Sequence, residues 1–295
     1  MVAVARSPSE VLHWRHPAAD GAWLAVDDRG PREAAPVLFA HGFGQTRHAW
    51  TAAAAALAAA GYRCVSFDAR GHGDSARVAD GGYHLEQFID DLAGLAAALP
   101  RPPVLVGASM GGLLGLALAG ERRPTPFRAL VLVDITPRWE SAGVERILGF
   151  MRAHPHGFAD FAEAAAAIAA YLPHRGKRKS EARLRPLLRA GDDGRLRWHW
   201  DPAMLGPIAE EGERYQPRLL AAARRVELPT LLLSGGRSDV VSADTVREFL
   251  ALVPHARHVE LPRATHMLAG DANDAFTREI EAFVRALDAG DPSTR

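Results

Sequence analysis

The chain is short of the residues that would tie it to several large classes of protein. It carries one cysteine, Cys64, in 295 residues, which excludes an intrachain disulfide framework and fits a reducing compartment. Cys64 sits inside an apolar run, where a thiol serves as a small buried hydrophobe. Net charge is absent, with Lys plus Arg and Asp plus Glu at 35 each, so neither a nucleic acid nor an anionic membrane is expected as partner. No stretch approaches the roughly 18 apolar residues of a membrane span. The segment Met1–Glu10 has no apolar core or cleavage-like site, and a soluble, cytoplasmic protein is the expectation. Lysine is nearly missing. Both copies fall in His174-Arg-Gly-Lys-Arg-Lys179, which reads as a solvated connector rather than an attractor for acidic substrates.

What is present is a rhythm of short apolar runs. Val11–Arg15 and Trp23–Asp27 read as an opening hairpin across Pro17-Ala-Ala-Asp-Gly21. Val37–Ala40, Tyr62–Phe67, Val104–Val106 and Ala129–Asp134 are apolar almost throughout. Each is followed by a loop and, in most cases, a helical stretch (about 49–60, 85–99 and 110–119). Strands without alternation are buried on both faces, which points to a doubly wound, mostly parallel sheet with helices on each side. Active loops then lie at the strand C-termini. The rhythm stops over residues 137–225, where helical stretches dominate, and resumes at Pro229–Ser234 and Arg257–Leu261 before a terminal helix, 274–287. The expected layout is a core of residues 1–136 and 226–295 with an inserted helical cap, 137–225.

One stretch carries chemistry. Gly107-Ala-Ser-Met-Gly111 follows a buried strand and opens a helix. A serine at so sharp a turn is exposed on a strained backbone, and glycines two positions either side let the backbones cross. The helix N-terminus offers the Met110 amide to a developing oxyanion. A nucleophilic Ser109 needs a base and a group to orient it. Asp239, after the strand 229–234, and His266, after 257–261, stand in the order that this layout requires. Asp134, at the end of an earlier strand, is a rival acid. Asp239 is preferred because Pro137 follows Asp134 closely and the chain there leaves for the cap. The second oxyanion donor is expected in His41-Gly-Phe-Gly44, from the Phe43 amide, with His41 structural. Trp198-His-Trp-Asp-Pro202 either lines a substrate pocket or anchors the cap. His48, Tyr171, Trp198, Trp200 and Met267 are the candidate pocket residues.

With Asp68-Ala-Arg-Gly-His-Gly-Asp-Ser75, Gly235-Gly-Arg-Ser-Asp239 and Ala264-Thr-His266 added, the chain resembles the capped branch of the α/β-hydrolase superfamily over about 37–288. The resemblance implies a Ser109–His266–Asp239 triad, no cofactor and no metal. Relatives that open epoxides or remove halides use an aspartate nucleophile, which leaves a hydrolysable ester on attack at an sp³ carbon. Serine would leave a dead-end ether, so Ser109 argues against those activities. The expected function is hydrolysis of a small or medium hydrophobic carboxylic ester through an acyl-enzyme. Lactone opening, C–C bond hydrolysis, perhydrolysis and acyl transfer use the same triad. A non-catalytic ligand receptor is a further alternative, disfavoured because all three triad residues are present.

Overall fold

A computed structural model describes residues 10–172, 180–266 and 274–291. Its centre is an eight-stranded sheet in the order β1-β2-β4-β3-β5-β6-β9-β10. The strands are β1 (Val11–Pro17), β2 (Trp23–Arg29), β3 (Pro36–Ala40), β4 (Arg63–Phe67), β5 (Val104–Ala108), β6 (Ala129–Val133), β9 (Thr230–Gly235) and β10 (Arg257–Leu261). β1 pairs with β2, and β2 with β4, in antiparallel fashion; all other neighbours are parallel. The mostly parallel α/β architecture expected from the apolar runs is present.

Residues on one strand alternate between two separate cores because successive side chains point to opposite faces. Leu38, Val65, Leu105, Leu130 and Leu232 pack on one face, under α2 (Leu85–Ala97), α3 (Met110–Glu121) and α7 (Gln216–Ala223). Val37, Phe39, Val104, Val106, Val131 and Leu233 pack on the other, under α1 (Thr51–Ala59) and α9 (Asp274–Asp288). Cys64 lies in that second core, 1% exposed, and burial pushes its thiol far up, so the buried structural role holds.

Between β6 and β9 the chain leaves the sheet for almost a hundred residues. It forms α4 (Ser141–Arg152), α5 (Phe161–Tyr171), the single turn α6 (Glu181–Leu184), a π-helical turn Leu205–Glu210 and then α7. A ribbon of β7 (Leu188–Ala190) and β8 (Leu196–Trp198) pairs within this segment, which was expected to be mostly helical; three-residue strands are too short to show a period. The last core helix before β10 is α8 (Ala243–Leu252), with Ser242 accepting from the Thr245 amide at its start. The basic segment His174–Lys179 and the pocket candidate Met267 lie outside the described residues. Among those described, no helix is long and apolar enough to cross a membrane.

Candidate active site

Ser109 occupies the turn from β5 into α3 with φ 46° and ψ −117°. A non-glycine residue in this region pays roughly 1–3 kcal/mol, which the surrounding packing must hold in place. The hold is visible in the glycines. A methyl group on Gly107 would fall 2.6 Å from Gly111 O, and one on Gly111 would fall 2.4 Å from Ala40 O. No larger residue fits at either side of the elbow while β5, α3 and β3 stay this close.

Asp134, which follows β6, has φ 50°. Among the described residues Ser109 and Asp134 are the two non-glycine residues with positive φ. The turn sends the fully buried Asp134 carboxylate towards β9 and β10. Its Oδ1 accepts from the Gly235 amide at 2.7 Å, and its Oδ2 accepts from Ser238 Oγ at 2.5 Å. His266 Nδ1 lies 2.7 Å from the same Oδ2. With Nδ1 engaged by a carboxylate, Nε2 is the nitrogen left for a reacting group. His266 and Ser109 line one cavity.

The preference for Asp239 is therefore corrected. Asp239 Oδ2 pairs with Arg146 of α4, 2.6 Å from Nε and 2.5 Å from a terminal nitrogen, at a partly exposed position. Both aspartates follow a buried strand, but β6 and β9 are neighbours, and the one whose backbone bends back reaches the imidazole. The loop after β9 contributes the donors Gly235 and Ser238 to Asp134 instead of a carboxylate to His266.

The His41–Gly44 loop lies against the elbow, since a methyl group on Gly42 would sit 3.2 Å from Ser109 Cβ. Its Gly42 amide donates to Gln45 Oε1 at 3.2 Å and its Gly44 amide to His72 Nε2 at 3.1 Å. The Phe43 and Met110 amides have no hydrogen-bond partner among the described residues. His41 is buried and structural, as expected: its Nδ1–H donates to Gly42 O at 2.8 Å and its Nε2 accepts from the Ala69 amide at 2.9 Å.

The cavity holding Ser109 and His266 has a volume of about 120 Å³. Phe43, Ile89, Leu113, Ile135, Trp139 and Ile147 are among its walls, and no Asp, Glu, Lys or Arg lines it among the described residues. Trp139 Nε1 is a buried donor with no partner among the described residues. Four pocket candidates are corrected, since they lie elsewhere. Tyr171 stacks on Phe150 with centroids 4.2 Å apart, and Trp198 stacks on Trp200 at 4.8 Å. His48 borders a different recess, lined by Thr46, Arg47, Arg185 and Arg189. Aromatic clustering pointed to the packing of the inserted segment. The walls come from the ordinary aliphatic faces of α4 and α3, which carry no local mark in the sequence.

Residues 35–272 match the model of a family described as having the alpha/beta hydrolase fold. A 3-hydroxybutyrate-oligomer hydrolase of Cupriavidus necator is 32% identical over 248 residues, covering 78% of this chain and 82% of that protein. An sn-1-specific diacylglycerol lipase of Mus musculus is 31% identical over 272 residues, covering 84% and 80%. The crystal structure of E-2-(acetamidomethylene)succinate hydrolase superposes with a TM-score of 0.78 at 25% identity, covering 94% of this chain and all of that one.

Proposed function

Since this chain belongs to the α/β-hydrolase family, we propose that it is a serine hydrolase cleaving a small or medium hydrophobic carboxylic ester. Ser109 is the nucleophile, His266 the general base and Asp134 the acid that orients it. One observation carries the reading. A strained serine and an imidazole held by a buried carboxylate open into the same cavity, whose described walls carry no Asp, Glu, Lys or Arg.

Ser109 Oγ attacks the ester carbonyl carbon as its proton passes to His266 Nε2. The carbonyl oxygen becomes an oxyanion held by the Phe43 and Met110 amides, which have no other partner among the described residues. Collapse breaks the bond to the alcohol oxygen, which takes the proton from His266 and leaves an acyl-serine. Water then repeats the sequence: His266 takes its proton, the acyl–Oγ bond breaks, and Ser109 regains the proton. Asp134 remains a carboxylate throughout and stabilises the imidazolium.

The segment 137–225 acts as a cap, since α4, the π-helical turn and α7 all contribute walls to the cavity. An uncharged lining disfavours a free carboxylate deep in the site and favours an aliphatic group beside the ester. Short-chain hydroxyacid esters, the chemistry in the name of the Cupriavidus necator relative, are first substrates to try. Turnover of short nitrophenyl and hydroxyacyl esters by the wild type and by Ser109→Ala tests the proposal. Loss of nearly all activity in the variant supports it; equal turnover by both removes it.

A further inference from the structure

The amide expected to hold the oxyanion sits in a loop whose successive peptide groups are each fixed by a different histidine. In a trans peptide the C=O and N–H point in opposite directions. The Gly42 carbonyl accepts from His41 Nδ1–H at 2.8 Å and from the Gln45 amide at 3.0 Å, which aims the Phe43 N–H the other way. The next peptide has its Gly44 N–H on His72 Nε2 at 3.1 Å. The one after has its Gly44 C=O on His199 Nε2–H, also at 3.1 Å.

The far nitrogen of each ring is anchored on the loop after β4. His41 Nε2 accepts from the Ala69 amide at 2.9 Å, His72 Nδ1–H donates to Arg70 O at 3.1 Å, and His199 Nδ1 accepts from the Gly73 amide at 2.8 Å. These partners fix one neutral tautomer for each ring. The first two histidines belong to the core. His199 follows β8 in the inserted segment and is 2% exposed. Its neighbours hold it there: Arg77 donates to His199 O at 3.1 Å, the Asp201 amide to Gly71 O at 2.8 Å, and Tyr83 Oη to Asp201 Oδ2 at 2.9 Å. The sequence left Trp198–Pro202 as either pocket wall or anchor. The contacts make it an anchor, and one that ends on the oxyanion loop.

We infer that His199 is a positioning residue for the oxyanion hole, through which the cap sets the Phe43 N–H and so takes part in transition-state stabilisation. The inference rests on the serine-hydrolase reading. His199 touches no substrate atom; it acts by fixing the Gly44 carbonyl. Displacement of a preorganised donor by a fraction of an ångström weakens the transition state more than the ground state, in which no oxyanion exists.

The test uses the full chain with His199→Asn, His199→Gln and His199→Phe, a short nitrophenyl ester, and a trifluoromethyl ketone that forms a tetrahedral adduct on serine. Asn offers an acceptor to Gly73 but no donor to Gly44; Gln extends an N–H donor towards the Gly44 carbonyl. For His199→Asn, kcat and ketone affinity should each fall about tenfold while KM stays within about twofold. His199→Gln should recover most of the loss. Should the Asn protein not fold, His199→Phe, which keeps the ring between Trp200 and His72, should show the same split. Unchanged kcat and ketone affinity, or a loss confined to KM, overturns the inference. A wild type that hydrolyses no ester and leaves Ser109 unmodified by a fluorophosphonate overturns the hydrolase reading and this inference with it. A wild type that labels, beside variants that label and turn over equally fast, overturns the inference alone.

Discussion

Asp134 reaches His266 from the end of β6, with 2.7 Å between its Oδ2 and the imidazole Nδ1. Asp239, though it stands in the loop nearer to His266 in the chain, is spent on Arg146. Replacement of the two aspartates by asparagine should therefore separate them. Asp134→Asn should lower kcat by about 10³–10⁴, since an amide cannot hold the imidazole in the working tautomer or balance its charge. Asp239→Asn should change kcat by less than about threefold, as expected for a half-exposed ion pair. Steady-state kinetics on one ester decides between them, and the reverse order would return the acid to Asp239.

Ser238 supports Asp134 from behind. Its hydroxyl donates to Asp134 Oδ2 at 2.5 Å and accepts from the Val240 and Val241 amides at 3.1 Å each. Ser238→Ala should cost about 2 kcal/mol of stability, because a hydrogen bond to a buried carboxylate is lost and two amides lose their acceptor. Urea unfolding would show this as a lower midpoint with an unchanged slope. An unaltered midpoint would mean that Asp134 is held without it.

The three histidines around the oxyanion loop make the fold acid-sensitive. Burial, the leading cause, lowers the pKa of His41, of His72 and of His199, the last to about 3. His41 and His199 also depress His72, Arg47 and Arg77 oppose protonation of His41 and His199 respectively, Arg189 adds to the effect at His199, and Asp68 favours the charged form of His41. The unfolded chain takes up these protons from about pH 6.5 downwards, whereas the native rings refuse them. Their stabilisation is complete above that pH and falls as pH drops below it, for His199 down to about 3, by up to ~1.4 kcal/mol per pH unit for each ring still neutral in the native state. His16 and His258, also lowered by burial, act in the same direction. Unfolding free energies measured between pH 7.5 and pH 5 should decline steeply, ahead of most carboxylate titration. A flat profile would contradict the neutral buried assignments.

The sheet was readable because β3, β4, β5, β6 and β9 are buried on both faces and so appear as short runs that are apolar almost throughout. The strained turn at Ser109 was readable because Gly107 and Gly111 are demanded by backbone approach within a few residues, and the loop position of His266 because it follows the last strand. The carboxylate that meets His266 was not readable. Asp134 and Asp239 look alike locally, and what separates them is the adjacency of β6 and β9 together with a backbone bend at Asp134 that no side chain announces. Pocket walls were missed for a related reason. Rings drew attention to Trp198 and Tyr171, while Ile147 of α4 and Leu113 of α3 line the cavity with Ser109 only in the folded chain. His199 was visible as a residue within an aromatic cluster, yet its partner Gly44 lies 155 positions away.

Intact-mass analysis after treatment with a fluorophosphonate, followed by peptide mapping, tests most directly whether Ser109 is an activated nucleophile. The account predicts one adduct per chain, on the peptide spanning Gly107–Gly111, absent in Ser109→Ala and formed far more slowly in His266→Ala. An unmodified wild type, or an adduct that persists after Ser109→Ala, would contradict it.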